Sequence, residues 1–173
     1  RLPFFAKEQK KVYKMVFDNV EWTEIITSTS YGIPVQSAFC KLAGEGNGKA
    51  IWTVNVQKAG KYEVFFYHQF LSMTGPPVSS VFTGSLLHYR ICNEVLDENV
   101  VVEADLVPEG WVSLGKFDFS VGEVQVILDD RGGNIRMDAE DQNLNVIVSS
   151  TEQSLPKQQL IIADAVKLVR VKE

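Results

Sequence analysis

The feature that most restricts the fold of this chain is a period of two. In residues 110–130 apolar side chains return at about every second position, and turn residues divide the run. Trp111, Ser113, Phe117 and Phe119 keep close to that period, with Gly115 where a bulge lets a strand bend. Residues 120–123 read as a tight turn in which Gly122 is free to take positive φ. Val124, Val126 and Leu128 then alternate with Gln125, Ile127 and Asp129. The stretch predicts a hairpin with one apolar face, which a second layer must bury.

The same pattern recurs along the chain. Residues 50–56 put Trp52, Val54 and Val56 on one face. Lys58-Ala59-Gly60-Lys61 reads as a hairpin turn leading into residues 62–68, with Tyr62, Val64 and Phe66 opposite Glu63, Phe65 and Tyr67. Aromatic rings on both faces mark that strand as central. Residues 87–93 set Tyr89 and Ile91 against His88, Arg90 and Cys92, and residues 22–28, 100–106 and 160–171 read as further strands. Residues 69–85, with Gly75, Pro76, Pro77 and Gly84, form a long connection, and residues 129–159 are polar, with a short strand at 144–148. No amphipathic helix is evident. Many short strands with turn signals at this spacing predict an all-β fold, an antiparallel β-sandwich. Residues 1–20 form an N-terminal arm or edge segment, and residues 21–173 a single sandwich domain.

Composition narrows the function classes. A chain of 173 residues, 45% hydrophobic, suits one domain with a real core. The net charge of −5 and the lack of a long basic run argue against nucleic acid as a partner. No apolar run is long enough for a membrane span. Cys40 and Cys92 are two buried thiols or one disulfide, and spacing does not decide between them. Without a Cys-x-x-Cys or a His/Cys cluster, zinc is not expected. Residues 43–49 are glycine-rich, but Gly48-Lys49-Ala50 opens a strand rather than a helix, so a flexible loop is expected and not a phosphate cradle.

The ordered signals resemble a known family. Ala50-Ile51-Trp52, Ala59-Gly60-Lys61-Tyr62-Glu63-Val64, Tyr89-Arg90-Ile91, the run from Gly110 to Phe119, the run from Val124 to Leu128 and Ala163-Asp164-Ala165-Val166-Lys167-Leu168 are similar to the golvesin C-terminal-like domain. That family is also described as the carbohydrate-binding-like domain of xanthan lyases. The resemblance runs from about Trp22 to Val171, and residues 69–85 and 131–159 are longer than the family pattern. It implies a bacterial accessory domain, a jelly-roll of the galactose-binding-like kind. It implies an extracellular, periplasmic or cell-surface location within a longer chain, and it carries no catalytic residues.

The residues themselves point the same way on chemistry. Hydrolases need a nucleophile, a base and an orienting group in contact. The chain offers two histidines, His68 and His88, on strands expected to adjoin, and no nucleophile motif. Glu103, Asp105, Asp129 and Asp130 are available as a glycosidase pair, but no motif positions two of them. The expectation is therefore no enzyme and no cofactor, with a structural calcium as the one candidate. Jelly rolls of this kind often carry that ion, and Asp138, Glu140 and Asp141, with Asn143 nearby, are the densest oxygen cluster, but the EF-hand spacing and its glycine are absent, which favours a solvated loop. Asp164, set in an apolar strand, is expected to accept backbone N–H bonds and fix a loop.

Sugar recognition uses aromatic platforms with polar groups around them. Phe65, Tyr67, His88 and Arg90 are expected to share one sheet face, where they either form the carbohydrate site or are covered by the long insertions. Trp52 and Trp111 follow the inward pattern and are expected in the core. Two functions follow: a domain that binds polysaccharide or another glycan, or a structural and protein-interaction module that packs on a neighbouring catalytic domain.

Overall fold

The structure is a computed structural model that describes residues 13–17, 22–70, 72–75, 78–82, 86–132 and 158–172, and the side chains of 22–70, 86–132 and 159–172. The described residues form three sheets. The first runs β1 (Tyr13–Phe17), β4 (Lys49–Val56), β11 (Gly122–Asp129), β8 (Leu86–Cys92) and β9 (Asp97–Glu103). The second runs β10 (Gly110–Phe119), β5 (Gly60–His68) and β13 (Val166–Arg170). The third runs β2 (Thr23–Ile26), β3 (Ser37–Leu42), β12 (Gln158–Ala163), β7 (Val78–Phe82) and β6 (Ser72–Gly75). Every pairing is antiparallel except β12 with β7.

The main core lies between the first two sheets. Trp52, Tyr89, Ile91, Val124, Val126 and Leu128 come from the first sheet and meet Val64, Phe66, Leu114, Phe119 and Val166 from the second. Ile161 and Ala163 of β12 join them, while Leu160 and Ile162 on its other face pack with Ala38 in a smaller cluster. The fold is the all-β antiparallel sandwich that the alternation predicts.

The connections differ from the expected hairpins. β10 and β11 do not pair with each other. β10 pairs with β5, and β11 with β4 and β8. In the same way β4 and β5, joined across Ala59-Gly60, lie in different sheets. Both turns are corners that carry the chain from one sheet to the other. They lie side by side, since Gly122 is opposite Val56 and Phe119 opposite Gly60. This paired ribbon wrapping a core is the jelly-roll arrangement. Gly60 (φ 149°) and Gly122 (φ 138°) hold backbone values that other residues seldom adopt. Period-two alternation shows that a face is buried. It does not show which strand shares the hydrogen bonds.

Other boundaries shift for the same reason. Residues 160–171 are two strands, β12 and β13, in two sheets, broken at Asp164-Ala165. The connection 69–85 contains the β6–β7 pair, and the 100–106 strand ends at Glu103 in a single 3-10 turn at Ala104–Leu106. Residues 13–17 take the edge-strand alternative, on β4.

The glycine-rich segment also departs from the flexible loop expected of it. It closes around the Asp130 carboxylate. Gly46 N–H donates to Asp130 Oδ1 at 2.6 Å, and Lys41 Nζ lies 2.9 Å from Oδ2. The Gly44 N–H donates to the Asp130 carbonyl, and the Asp130 N–H to the Gly48 carbonyl. A Cβ on Gly44 or Gly48 would stand 2.6 or 2.8 Å from Asp130 Oδ2, so glycine is what lets the backbone approach. Asp130 is 2% exposed. Burial by itself would raise its pKa, but Lys41 and the Gly46 and Gly48 N–H groups together outweigh burial and hold it below the usual carboxylate range.

Candidate functional site

The site begins with the bulge at Gly115. The register between β10 and β5 slips there: Ser113 is opposite Phe65, and Gly115 is opposite Val64. Gly115 has φ 127°. One extra residue reverses the parity of the strand. Beyond the bulge, Phe117 and Phe119 face the core; before it, Val112 and Leu114 do. Trp111 and Ser113 therefore face outward, opposite Tyr67 and Phe65. The expectation that Trp111 is a core residue is overturned, while Trp52, 5% exposed, does lie in the core.

Trp111, Tyr67 and Tyr31 form an aromatic cluster on this outer face. The Trp111 centroid lies 5.3 Å from Tyr67 and 5.0 Å from Tyr31, both nearly edge-on, and Tyr31 and Tyr67 are 5.4 Å apart. Lys167 on β13 sets its Nζ 4.1 Å from the Trp111 centroid and 5.0 Å from that of Phe65. The cluster borders an open groove of about 770 Å³, also lined by Gln36, Ile33, Val35 and Asp164.

Tyr31 arrives on the loop between β2 and β3, and a polar network holds that loop to the sheet. The Tyr31 N–H donates to Asp164 Oδ2 at 3.0 Å. The Gln69 side chain, 2% exposed, donates through Nε2 to the same oxygen at 2.9 Å. Gln69 Oε1 accepts from Thr29 Oγ1 at 2.9 Å and Thr27 Oγ1 at 3.2 Å. Asp164 occupies the break between β12 and β13, where the chain changes sheet, and it fixes a loop as its position in an apolar run suggests. Burial pushes its pKa up to about 6, with the Tyr31 N–H opposing. Burial and the Asp164 charge together raise the hydroxyl of Tyr89.

The four residues expected on one face are divided. Phe65 and Tyr67 lie on the outer face of the second sheet, beside Trp111. His88 and Arg90 lie on β8 in the first sheet, on the side away from buried Leu87, Tyr89 and Ile91. Arg90 is held by Asp97, with two contacts of 2.6 Å. The shared-face reading required β5 and β8 in one sheet, and they are not. His68 and His88 are likewise not on adjoining strands. His68 is buried against Phe66, and burial lowers its pKa against the pull of Glu109.

Asp138, Glu140 and Asp141 lie outside the described residues. Among the described residues, no three His, Cys, Asp or Glu side chains cluster as metal ligands. Cys40 and Cys92 are free thiols, on β3 and β8, and burial raises both pKa values. No described helix is long and apolar enough to cross a membrane.

Chemically, the groove offers ring faces and edges, tyrosine hydroxyls, one carboxylate and one ammonium. Sequence reading reached Phe65, Tyr67 and Asp164 but missed Trp111, Tyr31 and Lys167. Gly115 was the available signal for Trp111; nothing local marks Tyr31 or Lys167.

No family model matches the chain, and no curated protein does. Among solved structures, it is similar to a Podospora anserina GH26-CBM35 beta-(1,4)-mannanase, with 9% identity, a TM-score of 0.46 and 94% of this chain covered. It is also similar to the enzymatically active domain of bacteriophage CBA120 tailspike protein 4, with 7% identity, a TM-score of 0.37 and 92% of this chain covered. The chain spans 28% and 20% of those proteins.

Proposed function

We propose that this chain is a non-catalytic carbohydrate-binding domain serving a larger secreted or cell-surface bacterial protein, of the golvesin C-terminal-like kind. The observation that carries the reading is the Tyr31–Tyr67–Trp111 cluster beside an open groove with polar groups at its rim. Sugar rings present CH-rich faces to such platforms, and their hydroxyls take hydrogen bonds from the surroundings. The charged groups among the described lining residues are Asp164 and Lys167. The carboxylate is taken up by the Tyr31 loop, which suits a holding site better than acid–base catalysis.

Affinity electrophoresis through gels containing a panel of neutral and acidic polysaccharides tests this. Retardation by at least one glycan, lost in Trp111→Ala and in Tyr67→Ala while both stay folded, is the expected result. Absence of retardation on every gel refutes it.

A second reading has its own observation. Ile26, Ile33 and Val35, on and beside the Tyr31 loop, are 75%, 96% and 61% exposed, an apolar rim suited to a neighbouring protein domain. Under that reading, Ile26→Asp, outside the groove lining, weakens association with the adjoining domain and leaves glycan retardation unchanged.

A further inference from the structure

We propose that Lys167 is a built-in occupant of the Trp111 ring face, and that it selects glycans carrying a carboxylate over neutral ones. The inference rests on the glycan-binding reading above.

Lys167 stands opposite Phe65 in the β5–β13 register, next to the strand pair that carries Tyr67 and Trp111. Its ammonium lies over two rings at once, at 4.1 and 5.0 Å. The ion pairs among the described residues join Lys41 to Asp130, Lys61 to Asp118, Arg90 to Asp97 and Arg131 to Asp129, and Lys167 belongs to none of them. Its electrostatic partner in the free protein is thus the π-face of the ring.

A sugar that stacks on Trp111 takes this face, and the ammonium must leave it. The four-carbon stem lets the charge swing to the rim without moving β13. A neutral sugar offers the displaced ammonium only hydroxyls and water, so the cation–π contact is lost without equal return. A sugar carboxylate offers a charge-assisted hydrogen bond, the stronger kind. Asp164 is the opposing charge in the groove. Its Oδ2 is engaged by the Tyr31 N–H and Gln69, and its repulsion directs a ligand carboxylate toward Lys167. The net charge of −5 disfavours polyanions in general, so a preference for one would be local to the groove.

The test compares polygalacturonate with its methyl-esterified form, which share a backbone and differ in charge. Affinity electrophoresis of the full chain is expected to give retention about fivefold stronger on the acid form, a preference that salt weakens. Lys167→Met should bring the ratio close to one by losing affinity for the acid and gaining it for the ester. Lys167→Arg should keep the preference. Melting temperatures of both variants near that of the parent show that they are folded. An unchanged ratio in Lys167→Met, or a parent that prefers the ester, overturns the inference. So does retention by a neutral mannan but by neither pectin form, and that outcome leaves the glycan reading intact. Retention by no polysaccharide overturns both.

Discussion

Two carboxylates in this molecule each tie a loop to the end of a strand, and they are solved differently. Asp130 follows β11 and gathers the glycine-rich loop, with the Lys41 ammonium at 2.9 Å and backbone N–H groups around it. Asp164 follows β12 and gathers the Tyr31 loop, using a backbone N–H and the Gln69 amide, with no cation in contact among the described residues. The first is compensated, and its pKa is lowered. The second is not, and burial raises its pKa to about 6. A charge with a buried counter-charge locks a loop. A charge without one holds a loop more weakly and opposes the folded state when ionised. The weaker tie lies beside the groove.

Of the two carboxylates, the larger effect is expected from Asp130→Ala. It leaves Lys41 buried without its carboxylate and should cost about 3–5 kcal/mol, read as a fall in the urea midpoint. A loss below about 1 kcal/mol would mean that the lock contributes little, and the contrast with Asp164 would collapse.

The pH dependence separates the two carboxylates further. Asp164 has a folded pKa above its ordinary value of 3.8, so the folded state binds more protons between pH 4 and 6. Its contribution to stability therefore falls as pH rises through that window, by about 1–2 kcal/mol once solvent screening is allowed for. Asp130 has a folded pKa below 3.8, so its contribution is present above that pH and fades as pH falls further. Urea midpoints measured from pH 3 to 7 should show that Asp164→Asn removes a slope between pH 4 and 6 and leaves the acid limb unchanged. Should the Asn variant keep the parent's slope in that window, Asp164 is not the titrating group.

The smallest stability change is expected at Trp111. An outward ring in three partial contacts should cost about 1 kcal/mol on truncation to alanine, whereas Trp52→Ala should cost about 3–5 kcal/mol through lost burial and a cavity. Equal losses in the two variants would place Trp111 in the core and remove the platform from the groove.

Much of the fold was legible. Lys49–Val56, Gly60–His68, Leu86–Cys92, Gly110–Phe119 and Gly122–Asp129 are strands where alternation and turn residues mark them. The site was less legible. Tyr67 and Phe65 were readable as outward rings because β5 alternates without interruption. Trp111 was misplaced because its parity is counted across a bulge: Gly115 signalled the bulge, and the register alone shows that the strand's faces exchange there.

By itself the sequence determined that this is a β-rich chain, where most strands begin and end, and which residues of an unbroken strand share a face. These follow from local sterics and a period of two, which depend on near neighbours. Only the tertiary structure decided that the two short turns are corners between sheets, that His88 and Arg90 lie apart from Tyr67, and that Tyr31, Trp111 and Lys167 meet. Strand pairing is a choice among distant segments with similar apolar faces. The contacts that settle it join residues far apart in the chain, such as Gly110 and His68, 42 positions apart, or Tyr31 and Trp111, 80 positions apart, and no local pattern encodes them.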